Sequence, residues 1–382
     1  MRFPDSPAAL LQELVRIPSV NPDCAPGQGA TGELACATYV GEILEACGAK
    51  VSFDEVNPGR PNVIGRFPSD AEGKPGLLLA PHVDTVSVMG MTVDPFAAEI
   101  QDGRIYGRGS SDTKGTMAAM LWALREMGDE IGSLSCAVTF VGLMGEEAGQ
   151  PGSQHFAERY GSEFSFALVG EPTSLETVYA HKGCVWLKLS ARGRSCHGST
   201  PEQGENAIRH LLPVLEALLP WLEARLPDFT DTILGSPTVN LGMIKGGSSP
   251  NIVPSDCHAT LDFRETPALF ESGGARKLVL EFLESRHLHD LITIEVIGDS
   301  CPLLTDPATD GIRRLQSIGS RLTTAPWFCD AGRLAGGGIP SVACGPGSIA
   351  QAHTKDEYLT IVDLEAGADF YRRFLEIGRA HV

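Results

Sequence analysis

The residues in this chain best suited to chemistry are two histidines and a group of carboxylates, each placed where an apolar run gives way to a turn. His82 and Asp84 follow LLLAP as His-x-Asp, and Asp112 sits in GSSDTKG just ahead of a helix-like stretch. Glu146 and Glu147 close the run CAVTFVGLMG, Glu171 closes FALVG, and His353 ends GPGSIAQAH after the apolar IPSVAC. Taken singly, each has a bland alternative: a histidine hydrogen-bonded to a nearby carboxylate, or an aspartate capping a helix. The adjacent pair Glu146-Glu147 resists that reading more strongly, because neighbouring carboxylates repel unless a cation compensates them.

Together these residues describe a metal centre. His82 would bind through one ring nitrogen while Asp84 fixes its tautomer from the other side. One of Glu146 and Glu147 could ligate while the other, beside a metal-bound water, acts as base. A mixed nitrogen and oxygen donor set suits Zn²⁺, Co²⁺ or Mn²⁺ and argues against Ca²⁺. Five ligand residues exceed what one open catalytic zinc needs, which points to two metals sharing a carboxylate.

The elements that must position this set alternate between strand and helix. Gly76–Pro81 is apolar on both faces, as expected of a strand covered by helices on each side. Leu134–Met144 and Ser165–Val169 read as further buried strands, and Ile339–Cys344 as a late one. Helices are expected from Ser6-Pro7 onward, over Gly32–Cys47, over Gly115–Met127 and over Leu364–Ile377. This is an α/β pattern with its site at the strand ends.

Near Val178 the texture changes to a long strand (Val178–Arg192), a helix (Gly204–Arg225), two strands (Pro237–Ile244 and Ser255–Arg264), a helix (Pro267–Arg286) and a strand (Leu291–Ile297). That β-α-β-β-α-β order is ferredoxin-like. The expectation is a catalytic domain in two parts, residues 1–178 and 299–382, with a smaller domain inserted at 179–298.

Composition narrows the partners. A chain of 382 residues is long enough for two domains. Its 42% hydrophobic content is that of a folded globular protein. The net charge of −18 argues against nucleic acid and anionic membrane surfaces. The ten cysteines are scattered without a CxxC pair, which reads as free thiols in a reducing compartment. With neither a signal-peptide pattern nor an apolar span, the expected location is the cytoplasm. The Gly-rich stretches GRGSSDTKG and AGGGIPSVACGPG do not spell GxGxxG, so a nicotinamide dehydrogenase is disfavoured.

The motifs APHVDTV, GRGSSDTKG, GEE, VGEPTS, HKG, SCHGSTPEQGENAI, the GG…N…P…DFR stretch and GPGSIAQAHTKDEYL run in the order of the M20 metallopeptidase/amidohydrolase family, which the chain resembles over nearly its whole length. The resemblance implies a zinc-peptidase-type catalytic domain with a central mixed sheet flanked by helices, plus an inserted lid and dimerisation domain. It implies two Zn²⁺, or Co²⁺, with His82 and Glu171 on one, Glu147 and His353 on the other, and Asp112 bridging. It makes Glu146 the general base, has Asp84 orient His82, and makes the Asp112–Thr113 peptide cis. His197 would reach a partner subunit's site in a homodimer, and Asn251 and Arg264 would bind the substrate carboxylate. The plain alternative for Arg264 is an ion pair with Asp262 on its own strand face.

Within the family the motifs look most like the acetylornithine deacetylase and succinyl-diaminopimelate desuccinylase group. The implied activity is hydrolysis of an N-acyl amino acid, N-acetyl-L-ornithine first. The alternatives are desuccinylation, a carboxypeptidase or dipeptidase, and, remotely, an inactive binding homologue.

Overall fold

Strand Gly76–Pro81 is buried along its whole length. It pairs in parallel with Val138–Gly142 on one side and Phe164–Gly170 on the other. Ser341–Ala343 continues the parallel core against Phe164–Gly170 and meets Thr177–His181 antiparallel. Arg60–Arg66 and Lys50–Asn57 extend the other flank antiparallel, so the sheet is mixed. Among the described residues it has nine strands, with Leu303–Leu304 at one edge and Leu322–Ala325 pairing off the main order.

The computed structural model describes residues 3–24, 31–71 and 73–377. The chain divides into two units: Met1–Tyr179 with Leu304–Thr324 and Cys329–Val382, and Ala180–Leu303 with Ala325–Phe328. The second unit thus runs a few residues past the expected 298 and takes in a short aromatic-containing segment from later in the chain.

In the first unit, helices flank the sheet. Lys114–Met127 packs against Ile361–Glu376, and Pro151–Tyr160 against Asp330–Gly336. Met117, Met120, Leu121 and Leu124 from the first of these join Tyr371 and Phe374 from the second in one continuous core. Burying such side chains, each worth about 1.5–3 kcal/mol, fixes the helix that begins two residues after Asp112.

The second unit is an antiparallel sheet in the order Thr238–Gly246, Asp256–Glu265, Gly183–Arg192, Ile292–Ser300. Its helices, Ala207–Arg225 and the pair Pro267–Glu271 and Gly274–Ser285, complete the β-α-β-β-α-β order. A second core forms on one face, from Leu187, Leu189, Leu211, Leu218, Leu261, Phe263, Val279 and Phe282 among others.

Two of the expected elements are each split in two. The long strand Val178–Arg192 is two strands, ending at His181 and restarting at Gly183. A Cβ on Gly183 would lie 2.6 Å from the Ser300 carbonyl oxygen and 2.8 Å from Pro302, so only glycine fits where the chain changes sheets. The helix Pro267–Arg286 is also split, because Gly273 and Gly274 adopt φ of 109° and 75°, left-handed values that end one helix and start another.

Candidate metal centre

Parallel strands end on the same edge of a sheet, so residues just beyond their C-terminal ends converge. His82 directly follows strand Gly76–Pro81, and Glu171 directly follows Phe164–Gly170. Glu146 and Glu147 open a short 3₁₀ turn four residues past Val138–Gly142. His353 ends the loop beyond Ser341–Ala343, with φ of 62°. Asp112 enters from the turn before helix Lys114–Met127, and its peptide to Thr113 is cis.

The side chains meet around Asp112. One of its oxygens lies 3.1 Å from His82 Nε2 and the other 3.3 Å from His353 Nε2. His353 Nε2 is also 3.1 Å from a Glu147 oxygen. Asp112 therefore divides its carboxylate between two imidazoles, which is the disposition a bridging ligand needs. The ligand atoms of His82, Asp112 and Glu147 lie within 4.8 Å of one another. Glu171 is buried, and its Oε1 has no hydrogen-bond donor. An orphaned buried acceptor that feels the charges of Asp112, His82 and Glu147 fits a cation.

His82 Nδ1 lies 3.0 Å from the backbone carbonyl of Asp84. A carbonyl can only accept, so the proton sits on Nδ1 and Nε2 is left as the donor to a metal. Asp84 thus fixes the tautomer chiefly through its main chain, its carboxylate being 3.4 Å away. That carboxylate is occupied otherwise: it accepts from the backbone amides of Glu146 and Glu147, each at 3.1 Å, and from Asn21 Nδ2 at 2.7 Å. Asn21 in turn accepts from Arg60, whose guanidinium grips the fully buried Glu33.

Charge in this pocket is one-sided. Burial, with Glu171 adding repulsion, pushes Glu146 well above the ordinary carboxylate range. Burial and then Asp112 raise Glu147 to about 7, and burial and Asp112 likewise push up Glu171. Burial would also raise Asp112, but hydrogen bonds from His353 and His82 hold it low. Those bonds to Asp112 and Glu147 raise His353 to about 11. Without added cations, the two imidazoles partner the carboxylates; cations would take over that role and free both histidines as ligands.

Sequence reasoning missed several residues here. Asp330 is buried, its pKa raised to about 6 by burial, and it accepts from Ser153 at 2.5 Å. Gln150 Nε2 donates to Glu146 Oε1 at 3.0 Å. Asp330 had a usable signal, a carboxylate closing the apolar run APWFC, whereas Asn21 and Gln150 carry none.

Three expected site residues lie in the second unit. His197 Nδ1 is 2.7 Å from Ser199 Oγ, and the backbone of His197 bridges Ile252. Gly198 N donates to the carbonyl of Asn251 at 2.8 Å, so His197 and Asn251 occupy adjoining loops. The Asn251 side chain is hydrogen-bonded by Ser249. Arg264 stands apart near the end of strand Asp256–Glu265 and pairs with Asp262 at 3.0 Å, with its guanidinium 5.7 Å from the Phe328 ring centre.

Comparison with known proteins gives a consistent picture. The chain is similar to an M20 family metallo-carboxypeptidase from Sulfolobus solfataricus, with TM-score 0.77, 20% identity and coverage of 98% of this chain and 99% of the other. It is similar to a tripeptidase from Staphylococcus aureus, with TM-score 0.73, 23% identity and 97% coverage of each. A dinuclear metal binding peptidase of the M20 family from Bacillus subtilis matches at TM-score 0.68 and 12% identity, over 98% and 97% of the two chains. At these identities the likeness shows the fold. The profile of peptidase family M20/M25/M40 matches residues 78–377. Since that span holds every one of the converging ligand candidates and most of the chain, the protein belongs to the M20 metallopeptidases, hydrolases of amide bonds that depend on metal.

Proposed function

We propose that this protein is a two-metal hydrolase of the amide bond of an N-acyl amino acid, with N-acetyl-L-ornithine as first substrate. The observation that carries the two-metal part of this reading is the division of Asp112 between His82 and His353, with Glu147 on His353 and an unpartnered oxygen on Glu171; the substrate follows from the motif resemblance alone. His82 and Glu171 would hold one Zn²⁺, Glu147 and His353 the other, and Asp112 both; Co²⁺ would substitute. Bound there, the metals would lower the pKa of a water and polarise the amide oxygen.

Glu146 is the general base. It takes a proton from the attacking water at its carboxylate and returns it to the leaving nitrogen. Gln150 holds the group through its Oε1, and metals bound beside it would offset the burial that raises its pKa. Asp84 orients His82 and pins the amides of Glu146 and Glu147. Asn251 and Arg264 bind the substrate carboxylate, for which Arg264 must exchange its partner Asp262.

Residues 179–298 act as a lid and dimerisation domain, through which the partner subunit's His197 supports the developing oxyanion. The edge strand Thr238–Gly246 supports the homodimer, since it is exposed along most of its length and presents Met243 and Ile244 to solvent. A second reading, as a carboxypeptidase or dipeptidase, is favoured by the likeness to the metallo-carboxypeptidase and the tripeptidase described above.

The deciding experiment assays metal-replete enzyme against N-acetylornithine, N-succinyl-diaminopimelate, other N-acyl amino acids and dipeptides, with Glu146→Ala alongside. Preference for N-acetylornithine is expected, with turnover lost by at least ~10²-fold in the variant while both metals stay bound. Preference for dipeptides transfers the assignment to the second reading, and near-full activity of Glu146→Ala overturns the base.

A further inference from the structure

The segment from Gly107 to Asp112 has no regular secondary structure, yet it is buried and carries the central carboxylate of the site. What holds it is Glu357, four positions after His353 and wholly buried. One carboxylate oxygen, Oε1, accepts from the backbone amides of Ser111 at 2.9 Å and of Asp112 at 3.0 Å. The other, Oε2, accepts from Arg108 Nη1 at 2.6 Å and from the amide of Gly109 at 3.1 Å. Arg108 is itself buried and is tied to the carbonyl of Ser87. The main-chain carbonyl of Glu357 accepts from Gly107 N at 3.0 Å. The next residues, Tyr358–Thr360, form a strand against Arg104–Tyr106.

We propose that Glu357 is a positioning residue for the metal centre: its carboxylate fastens the backbone of Asp112 and ties it to the loop bearing His353, so that both face the metals before any cation arrives. Three features support this. All four partners of the carboxylate are donors, so both of its oxygens act as acceptors, two bonds each. The burial of this carboxylate is compensated by a guanidinium and three amides directed at it. The bond to the Asp112 amide is one residue's length from the carboxylate that His82 and His353 share.

The arrangement also makes a nearly isosteric change revealing. In Glu357→Gln one end of the side chain becomes a donor, and in either orientation it opposes two donors of the loop.

The proposal rests on the two-metal reading above, and the test separates the two. Wild type and Glu357→Gln are compared for metal affinity by chelator competition, for the visible spectrum of the Co²⁺ form, for kcat and KM separately, and for folding by circular dichroism. A folded variant with metal affinity lowered roughly 10–100-fold, an altered Co²⁺ spectrum and a fall in kcat larger than any change in KM is expected. A folded variant with unchanged affinity and spectrum overturns the proposal. Wild type that takes up no metal overturns the two-metal reading instead.

Amide hydrogen exchange in metal-free wild type decides the matter even if the variant fails to fold. Protection of the Ser111 and Asp112 amides before metal is added is expected, and free exchange at both overturns the proposal.

Discussion

Asn21 donates to Asp84 through a buried hydrogen bond of 2.7 Å and accepts from Arg60 at 3.1 Å, so it connects the Glu33–Arg60 pair to the group that holds His82, Glu146 and Glu147. Asn21→Ala takes a donor from a buried carboxylate and an acceptor from a guanidinium. Hydrogen bonds to charged groups are worth about 1.5–3 kcal/mol each, so a stability loss of that order is expected in denaturant titration. Metal affinity should fall about tenfold or more in chelator competition; unchanged affinity would show that Asp84 holds its place without Asn21. The ligand candidates were legible in the sequence because metals demand scarce residue types, and here these sit where apolar runs stop. Asn21 and Glu357 were not, since a donor or acceptor for a buried carboxylate can come from any part of a chain. For Arg264 the sequence offered two readings, and the ion pair with Asp262 is its observed state.

Strand Thr177–His181 ends on an imidazole that is fully buried and 6.4 Å from the ring of Trp327. Burial pushes the pKa of His181 down to about 4, while backbone hydrogen bonding opposes the shift only in part. The folded chain thus keeps His181 neutral at pH values where an unfolded histidine, near 6.5, takes up a proton. Above pH 6.5 both states are neutral and stability is whole. As pH falls from about 6.5 towards 4 the unfolded state gains the proton alone and stability is lost, by about 3 kcal/mol in all. Urea unfolding at pH 7 and pH 4.5 should show a smaller acid loss in His181→Phe than in wild type; equal losses would assign the acid sensitivity to other groups. Periodicity revealed most elements, including the β-α-β-β-α-β order, because half-buried strands and amphipathic helices write their burial into the sequence. It could not reveal the break after His181, since both strands are apolar and only the close approach of Ser300 and Pro302 to Gly183 marks the change of sheet. The Gly273-Gly274 break was visible as a pair of glycines within an otherwise helical pattern.

For the whole molecule, the proposed homodimer has a direct test. A His197→Ala chain keeps its own metal ligands and base, and a Glu146→Ala chain keeps the histidine that the partner would need. Each variant alone should be inactive. Random reassembly of the two should restore about a quarter of wild-type turnover, since half of the dimers are mixed and each has one intact site. No recovery in mixed dimers verified by mass would place His197 in its own subunit's chemistry or outside it. The wide span of the matching motifs made the family legible, whereas the substrate depends on pocket side chains that no motif records.

The late strand Ser341–Ala343 lies between Phe164–Gly170 and Thr177–His181 in the finished sheet. During synthesis those two neighbours emerge first and wait for a strand made long afterwards. His353 likewise follows Glu171 by about 180 residues, or about 10–40 s of translation at ordinary rates. A growing chain therefore carries four of the five ligand candidates in a half-built sheet, and metal capture by the full set must wait until His353 has been made.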